Sequence, residues 1–201
     1  MFNNNVKSSK KRPNTGINQR HRKEFILCEG KFDATTQEIA DEAGVNRTLI
    51  NYYFRSRDNL IQIIFNEAQK VEHEKSEIIM NSDLPFKEKI AQFIEGSLST
   101  SLQYPYLETY IVSQINKGNC QKKDIEEEEL RKLYKDIEAE MELGNIEKMK
   151  PIQFLLNMIS LLVFPSAVRP LLMENLMIDE VEFDKIISER KEIILNMLFK
   201  N

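Results

Sequence analysis

The sequence predicts an all-α protein in two parts, and three observations carry that expectation. Apolar residues recur at helical spacing along most of the chain, no segment has the alternating period of a strand, and Ala34 to Phe54 reads as two short helices joined by a glycine turn. The 201 residues are 41% hydrophobic, enough to fill one large core or two modest ones.

The elements follow in order. A first helix comes before this two-helix segment, with Cys28, a small core residue, near its end. Thr35 followed by Glu38 is a capping box, in which hydroxyl and carboxylate each satisfy an orphaned backbone N–H, so the next helix starts near Thr36. It turns Ile39, Ala40 and Ala43 inward, and Gly44 takes the left-handed position that ends it. Val45 plugs the turn. Asn46 caps another helix with Leu49, Ile50 and Tyr53 inward and Arg47, Thr48, Asn51 and Tyr52 outward. Ser56, ahead of Arg57 and Asp58, caps a long helix to about Asn81 on a stripe of Leu60, Ile63, Ile64, Ala68 and Val71.

Beyond it, Pro85 opens a helix with Ile90, Phe93, Ile94 and Leu98 inward, broken by Tyr104-Pro105-Tyr106. A shorter helix runs to Gly118, and a charged one from about Asp124 to Leu143 buries Ile125, Leu130, Leu133, Tyr134, Ile137 and Met141. Pro151 opens a strongly apolar helix through Phe164 that Pro165 and Pro170 interrupt. Asp179 with Glu182 caps one last helix running to Phe199.

Charge is partitioned along the chain. Residues 1–65 hold 11 Lys and Arg against 7 Asp and Glu, while residues 66–201 hold 17 against 25. A basic head on an acidic body suits a partner rich in phosphate. Residues 1–16 carry Lys7, Lys10, Lys11 and Arg12 among polar residues and read as a flexible basic arm, either a solvated terminus or one that enters a minor groove.

Several classes are disfavoured. No apolar run near Met1 suggests a secretory signal, and Phe154 to Phe164 falls far short of the roughly 20 residues of a membrane span. Cys28 and Cys120 have no metal or redox spacing, so a cytoplasmic protein is expected. His21 and His73 fall on different helices, and Glu126 to Glu129 point around one helix rather than converging. No catalytic set, metal site or cofactor is expected.

The outward side chains of the second short helix suit DNA. Arginine forks onto guanine, asparagine pairs bidentately with adenine, a threonine methyl meets a thymine methyl, and tyrosine hydroxyls suit phosphate. The combination of Thr35-Thr36, Ile39-Ala40, Ala43-Gly44-Val45, Ile50, Tyr53-Phe54, Ser56-Arg57 and Leu60 at this spacing resembles the tetracycline-repressor (TetR) family of bacterial transcription regulators. The chain departs from that pattern at His21 and Arg22, where small alanines are usual, and at Leu49, where threonine is common. The resemblance implies a three-helix helix-turn-helix DNA-binding domain over 17–65 and a helical effector-binding and dimerisation domain over 66–201. It implies phosphate contacts from Thr36, Tyr52, Tyr53 and Arg57 and base-facing roles for Gln37, Arg47, Thr48 and Asn51, with Asn46 at the turn. It also implies a central apolar cavity for a small-molecule effector, lined by Phe93, Tyr104, Tyr106, Tyr110, Phe154 and Met158.

The last helices carry more apolar width than one small body needs, which points to a homodimer interface through Leu155, Ile159, Leu162, Ile186, Ile193 and Met197. Pairing would set two recognition helices in successive major grooves about 34 Å apart on a pseudo-palindromic double-stranded DNA operator. The expected function is a homodimeric regulator, a repressor released by an effector. Rival readings are an architectural or protein-recruiting DNA binder with a packed body, and an enzyme using the body cavity.

Overall fold

A computed structural model of the protein describes residues 24–118 and 127–200. The basic arm, His21, Arg22, Cys120, Asp124, Ile125 and Glu126 lie outside the described residues, as does the side chain of Val71. Among the described residues every regular element is helical. The head comprises α1 (Glu24–Cys28, a single π-type turn), α2 (Thr36–Glu42), α3 (Arg47–Phe54) and the start of α4 (Arg57–Met80). The body adds α5 (Phe86–Gln103), α6 (Leu107–Asn116), α7 (Glu127–Glu142), α8 (Pro151–Ala167), α9 (Arg169–Leu176), α10 (Glu180–Ser188) and α11 (Arg190–Leu198).

Two hydrophobic cores organise these helices. The head core gathers Ile26, Leu27, Ile39, Ile50 and Leu60, all fully buried, and each contributes about 1.5 to 3 kcal/mol of transfer free energy. Leu107 and Tyr110 of α6 are built into the same core, so the start of α6 belongs physically to the head. The body core is centred on Ile90, Ile94, Ile137, Phe154, Ile187 and Ile194. There α5 packs against α8, α10 and α11, while α7 and α6 cover α8.

The α8 helix differs from its sequence expectation. Pro165 does not end it; the helix continues to Ala167 and turns by 73° into α9. Proline removes the donor that the Leu161 carbonyl would use, and the Arg190 guanidinium donates to that oxygen at 2.9 Å instead. Thr109 of α6 donates from its hydroxyl to the Ala167 carbonyl at 3.2 Å, covering the end of α8. Past the turn, Arg169 is 2% exposed, donates to Asp184 at 2.6 Å and Glu180 at 3.2 Å, and lies over the Phe183 ring, which ties α9 to α10.

The expected last helix is divided at Glu189 into α10 and α11. Asp179 caps the first part as expected, accepting from the Glu182 N–H at 2.8 Å. At its end the Ser188 hydroxyl donates to the Lys185 carbonyl at 2.7 Å, local side-chain bonding that competes with the helix ladder. No single helix among the described residues is long and apolar enough to cross a membrane.

Candidate nucleic-acid interface

The recognition element forms as its residues dictate. The Thr35 hydroxyl accepts from the Glu38 N–H, and Glu38 accepts from the Thr35 N–H at 2.6 Å. That backbone bond, then the hydroxyl, then the Lys31 charge hold the Glu38 carboxyl below its usual range. Gly44 has φ +63 just past the Ala43 cap, and Asn46 accepts from the Thr48 N–H at 2.8 Å to open α3. Within α3 only Ile50 is fully buried. Arg47, Thr48, Asn51 and Tyr52 project to the exterior as the spacing predicts, Tyr52 at 77% exposure. Leu49 and Tyr53, expected inward, are each 37% exposed, because α2 and α4 together cover only a narrow face of this eight-residue helix.

Exposed polar side chains, backed by a packed core and projecting from one short helix, are an arrangement suited to reading base edges. Gln37 stands beside it on α2, exposed and donating to Asp41 at 2.7 Å, and Thr36 is half-buried. Arg55 was missed by sequence reasoning. It closes α3 at φ +63, uncommon for a residue other than glycine, and presents an exposed cation at the end of the reading helix. Arg57 is engaged inward: its Nε donates to the Ala34 carbonyl at 2.6 Å, its Nη2 to the Phe32 carbonyl, and its Nη1 to Asp58 at 2.9 Å. The guanidinium thereby fixes the loop ahead of α2.

Residues 28–64 match the sequence profile of the tetR family of bacterial regulatory proteins. That segment, which holds α2 and α3, is of the tetR type. Solved structures share the chain's helical fold over nearly the whole length. A Clostridium perfringens protein described as a fatty acid metabolism regulator is 17% identical at a TM-score of 0.58, covering 91% of this chain and 96% of that one. A protein of Mesorhizobium loti MAFF303099 described as a TetR-family transcriptional regulator is 12% identical at 0.50, covering 90% and 94%. No curated protein matches the sequence significantly.

The body contains a cavity of 200 Å³ between α4, α5, α6 and α8. Phe93, Ile111, Ile159, Leu162 and Val163 form its apolar wall, and Gln69, Ser97, Thr100, Ser101 and Glu108 its polar side. Of the six residues expected around an effector, only Phe93 lines it. Tyr110 is 6% exposed and packs between Phe32 and Phe65 in the head core, with ring centroids 5.2 and 5.0 Å away. Burial, then the Asp58 charge, raises its hydroxyl above the usual range. Tyr106 lies on Gly30 and edge-on to Phe32, and Tyr104 packs on the same core. Phe154 and Met158 fill the body core, Phe154 against Phe86 and Phe199. The aromatic residues around the α5–α6 corner are thus used to fasten head to body. The row Ser97, Thr100, Ser101, at helical i, i+3 and i+4 spacing, was the legible signal for the cavity.

The six residues expected at a dimer interface also divide. Leu155 and Leu162 are 8% and 5% exposed and belong to the protomer's own core. Ile159, Ile186, Ile193 and Met197 are 49%, 40%, 50% and 67% exposed, and Ile152 and Leu156 join them along α8. On α8 the exposed stripe therefore keeps Ile159 of the expected set and runs on through Leu156 and Ile152 in place of Leu155 and Leu162, because an apolar helix covered on one side turns its other apolar row outward.

Proposed function

We propose that the chain is a TetR-family regulator, a homodimeric repressor that grips a pseudo-palindromic operator with both α3 helices and is released by a small molecule in the cavity. The apolar row Ile152, Leu156 and Ile159 on α8, exposed alongside Ile193 and Met197 on α11, carries the reading. Two such helices from each protomer would bury the row in a four-helix seam against a second copy. Within each head, Gln37, Arg47, Thr48 and Asn51 face the bases, Thr36, Tyr52, Tyr53 and Arg55 meet phosphates, and Arg57 acts at one remove by holding the Phe32 and Ala34 carbonyls.

Support for effector release comes from Ile159, which lies both in the cavity wall and in the exposed row. A ligand that moves Ile159 would change the seam and so the separation of the heads. Loss of operator affinity can then be no larger than the ligand's preference for the released conformation.

Selection of bound duplexes from a random DNA pool at about 0.15 M salt, paired with sedimentation of the complex, tests the proposal. A two-fold symmetric consensus occupied by two copies is expected. A single asymmetric half-site bound by one copy would overturn it.

A further inference from the structure

The cavity between α4, α5, α6 and α8 opens to solvent beside Ile159. Among the described residues that line it, Ile159 is the exposed one, and the others are buried or half-buried. Sites for small molecules cover roughly 70 to 90% of the ligand's surface, so one protomer supplies a binding site with a side missing. The open side is apolar and belongs to a row with the spacing of a helix–helix seam. Ile152, Leu156, Ile159 and Val163 succeed one another at intervals of four, three and four residues, the alternation that keeps an apolar edge turned to a second helix. Ile159 and Val163 of that row line the cavity. Beside the row Gln153, Asn157 and Ser160 are exposed and uncharged, and α8 has no charged residue from Pro151 to Ala167. Such a face offers nothing to a basic or acidic partner, but it matches a second copy of itself, as two-fold pairing of identical patches requires.

We propose that a second copy of this chain seats on the α8 row and forms the outer wall of the cavity, so that the cavity is complete as a binding site only in the dimer. The inference rests on reading the α8 and α11 rows as the contact between copies. Dimerisation and effector binding then reinforce each other: a ligand that touches both copies favours the pair by the factor with which the pair favours the ligand. Release from DNA follows from a changed separation of the heads within an intact dimer, not from its dissociation.

The test places a thiol in the cavity and asks whether the pair shields it. Ser97→Cys, on the α5 side of the lining, is treated in the full chain with N-ethylmaleimide. The rate at position 97 is read by peptide mass spectrometry, and sedimentation gives the oligomeric state of the same samples. Ser99→Cys, exposed two residues on and so on the far side of α5, corrects for thiol reactivity. Ser101→Cys serves if the first variant does not fold. The monomer is reached by dilution or by Ile193→Glu, a residue that does not line the cavity. Position 97 should react at least tenfold more slowly in the dimer than in the monomer, with position 99 alike in both. Equally fast reaction in dimer and monomer would overturn the inference and leave the homodimer standing. Equally slow reaction would show that the protomer closes the cavity by itself, and would overturn it too. A dimer that survives both dilution and Ile193→Glu would place the interface off these rows, with the same consequence. A chain that sediments as a monomer at every concentration would overturn the homodimer reading and this inference with it.

Discussion

Arg190 donates to the carbonyl of Leu161 at 2.9 Å, the acceptor that Pro165 leaves without a helical partner four residues on. One residue on α11 therefore repairs the main chain of α8, and burial pushes its guanidinium below the usual arginine value without removing its charge. Arg190→Ala should lower stability by about 1 to 3 kcal/mol, the cost of an unsatisfied buried carbonyl. In a Pro165→Ala background, where the helix supplies its own donor, the same change should cost less. Denaturant unfolding of the two single variants and the double variant measures the coupling; strictly additive effects would show that the bond does not compensate the proline.

Two glycines at positive φ should respond differently to alanine. At Gly30, φ +66, a Cβ would lie 3.0 Å from the Tyr106 ring, whereas at Gly44, φ +63, nothing lies within 4 Å. Gly44→Ala should cost about 1 to 2 kcal/mol from backbone strain alone. Gly30→Ala should cost more and should speed hydrogen exchange in 27–34 and 104–110, where head and body meet. Equal costs with unchanged exchange would mean the contact does not fasten the junction.

Arg47 and Arg57 should separate reading from support. Arg47→Ala should weaken operator binding by about 1 to 3 kcal/mol and relax preference at one base pair. Arg57→Ala should weaken all sequences alike and also lower the melting temperature, since it releases the Phe32 and Ala34 carbonyls. Binding titrations on single-base operator variants, with thermal melts alongside, distinguish the two. An unchanged melt for Arg57→Ala would return that residue to a purely phosphate-contacting role.

The Glu38 carboxyl sits below its usual range because it accepts from the Thr35 N–H. A depressed folded pKa means that the capping box supports α2 above the ordinary carboxylate range and loses that support as pH falls through the depressed value. The side-chain resonance of Glu38, followed by NMR from neutral to acid pH, should titrate below a free glutamate. Thr35→Ala removes only the hydroxyl and should raise it part of the way back. A normal titration in the native protein would show that the box is not closed in solution.

Ile193 is 50% exposed on α11, which packs against α8. Ile193→Glu should leave the protomer folded, convert the protein to monomer and weaken operator binding by at least tenfold. Sedimentation and circular dichroism read the two properties separately. A helical dimer that persists would move the interface elsewhere.

The sequence by itself determined the local grammar of the head. The Thr35–Glu38 box, the left-handed Gly44, the Asn46 cap and the Ser56 cap each lie within a few residues of the backbone group they satisfy, so adjacent sequence carries all the information. The same holds for the outward Arg47, Thr48, Asn51 and Tyr52, because a short helix with one buried residue fixes their direction. Tertiary structure decided what depended on distant partners. Pro165 reads as a stop until Arg190 is seen to supply the missing donor, and Arg57 reads as a phosphate ligand until the Phe32 and Ala34 carbonyls are in place around it. Tyr106 and Tyr110 read as pocket aromatics, yet Phe32, Phe65 and Gly30 form the surface that receives them. Which apolar row of α8 faces the core, Leu155 and Leu162 or Ile152, Leu156 and Ile159, depends on the rotation of one helix about its axis. Only packing against α5, α6, α7 and α11 sets that rotation.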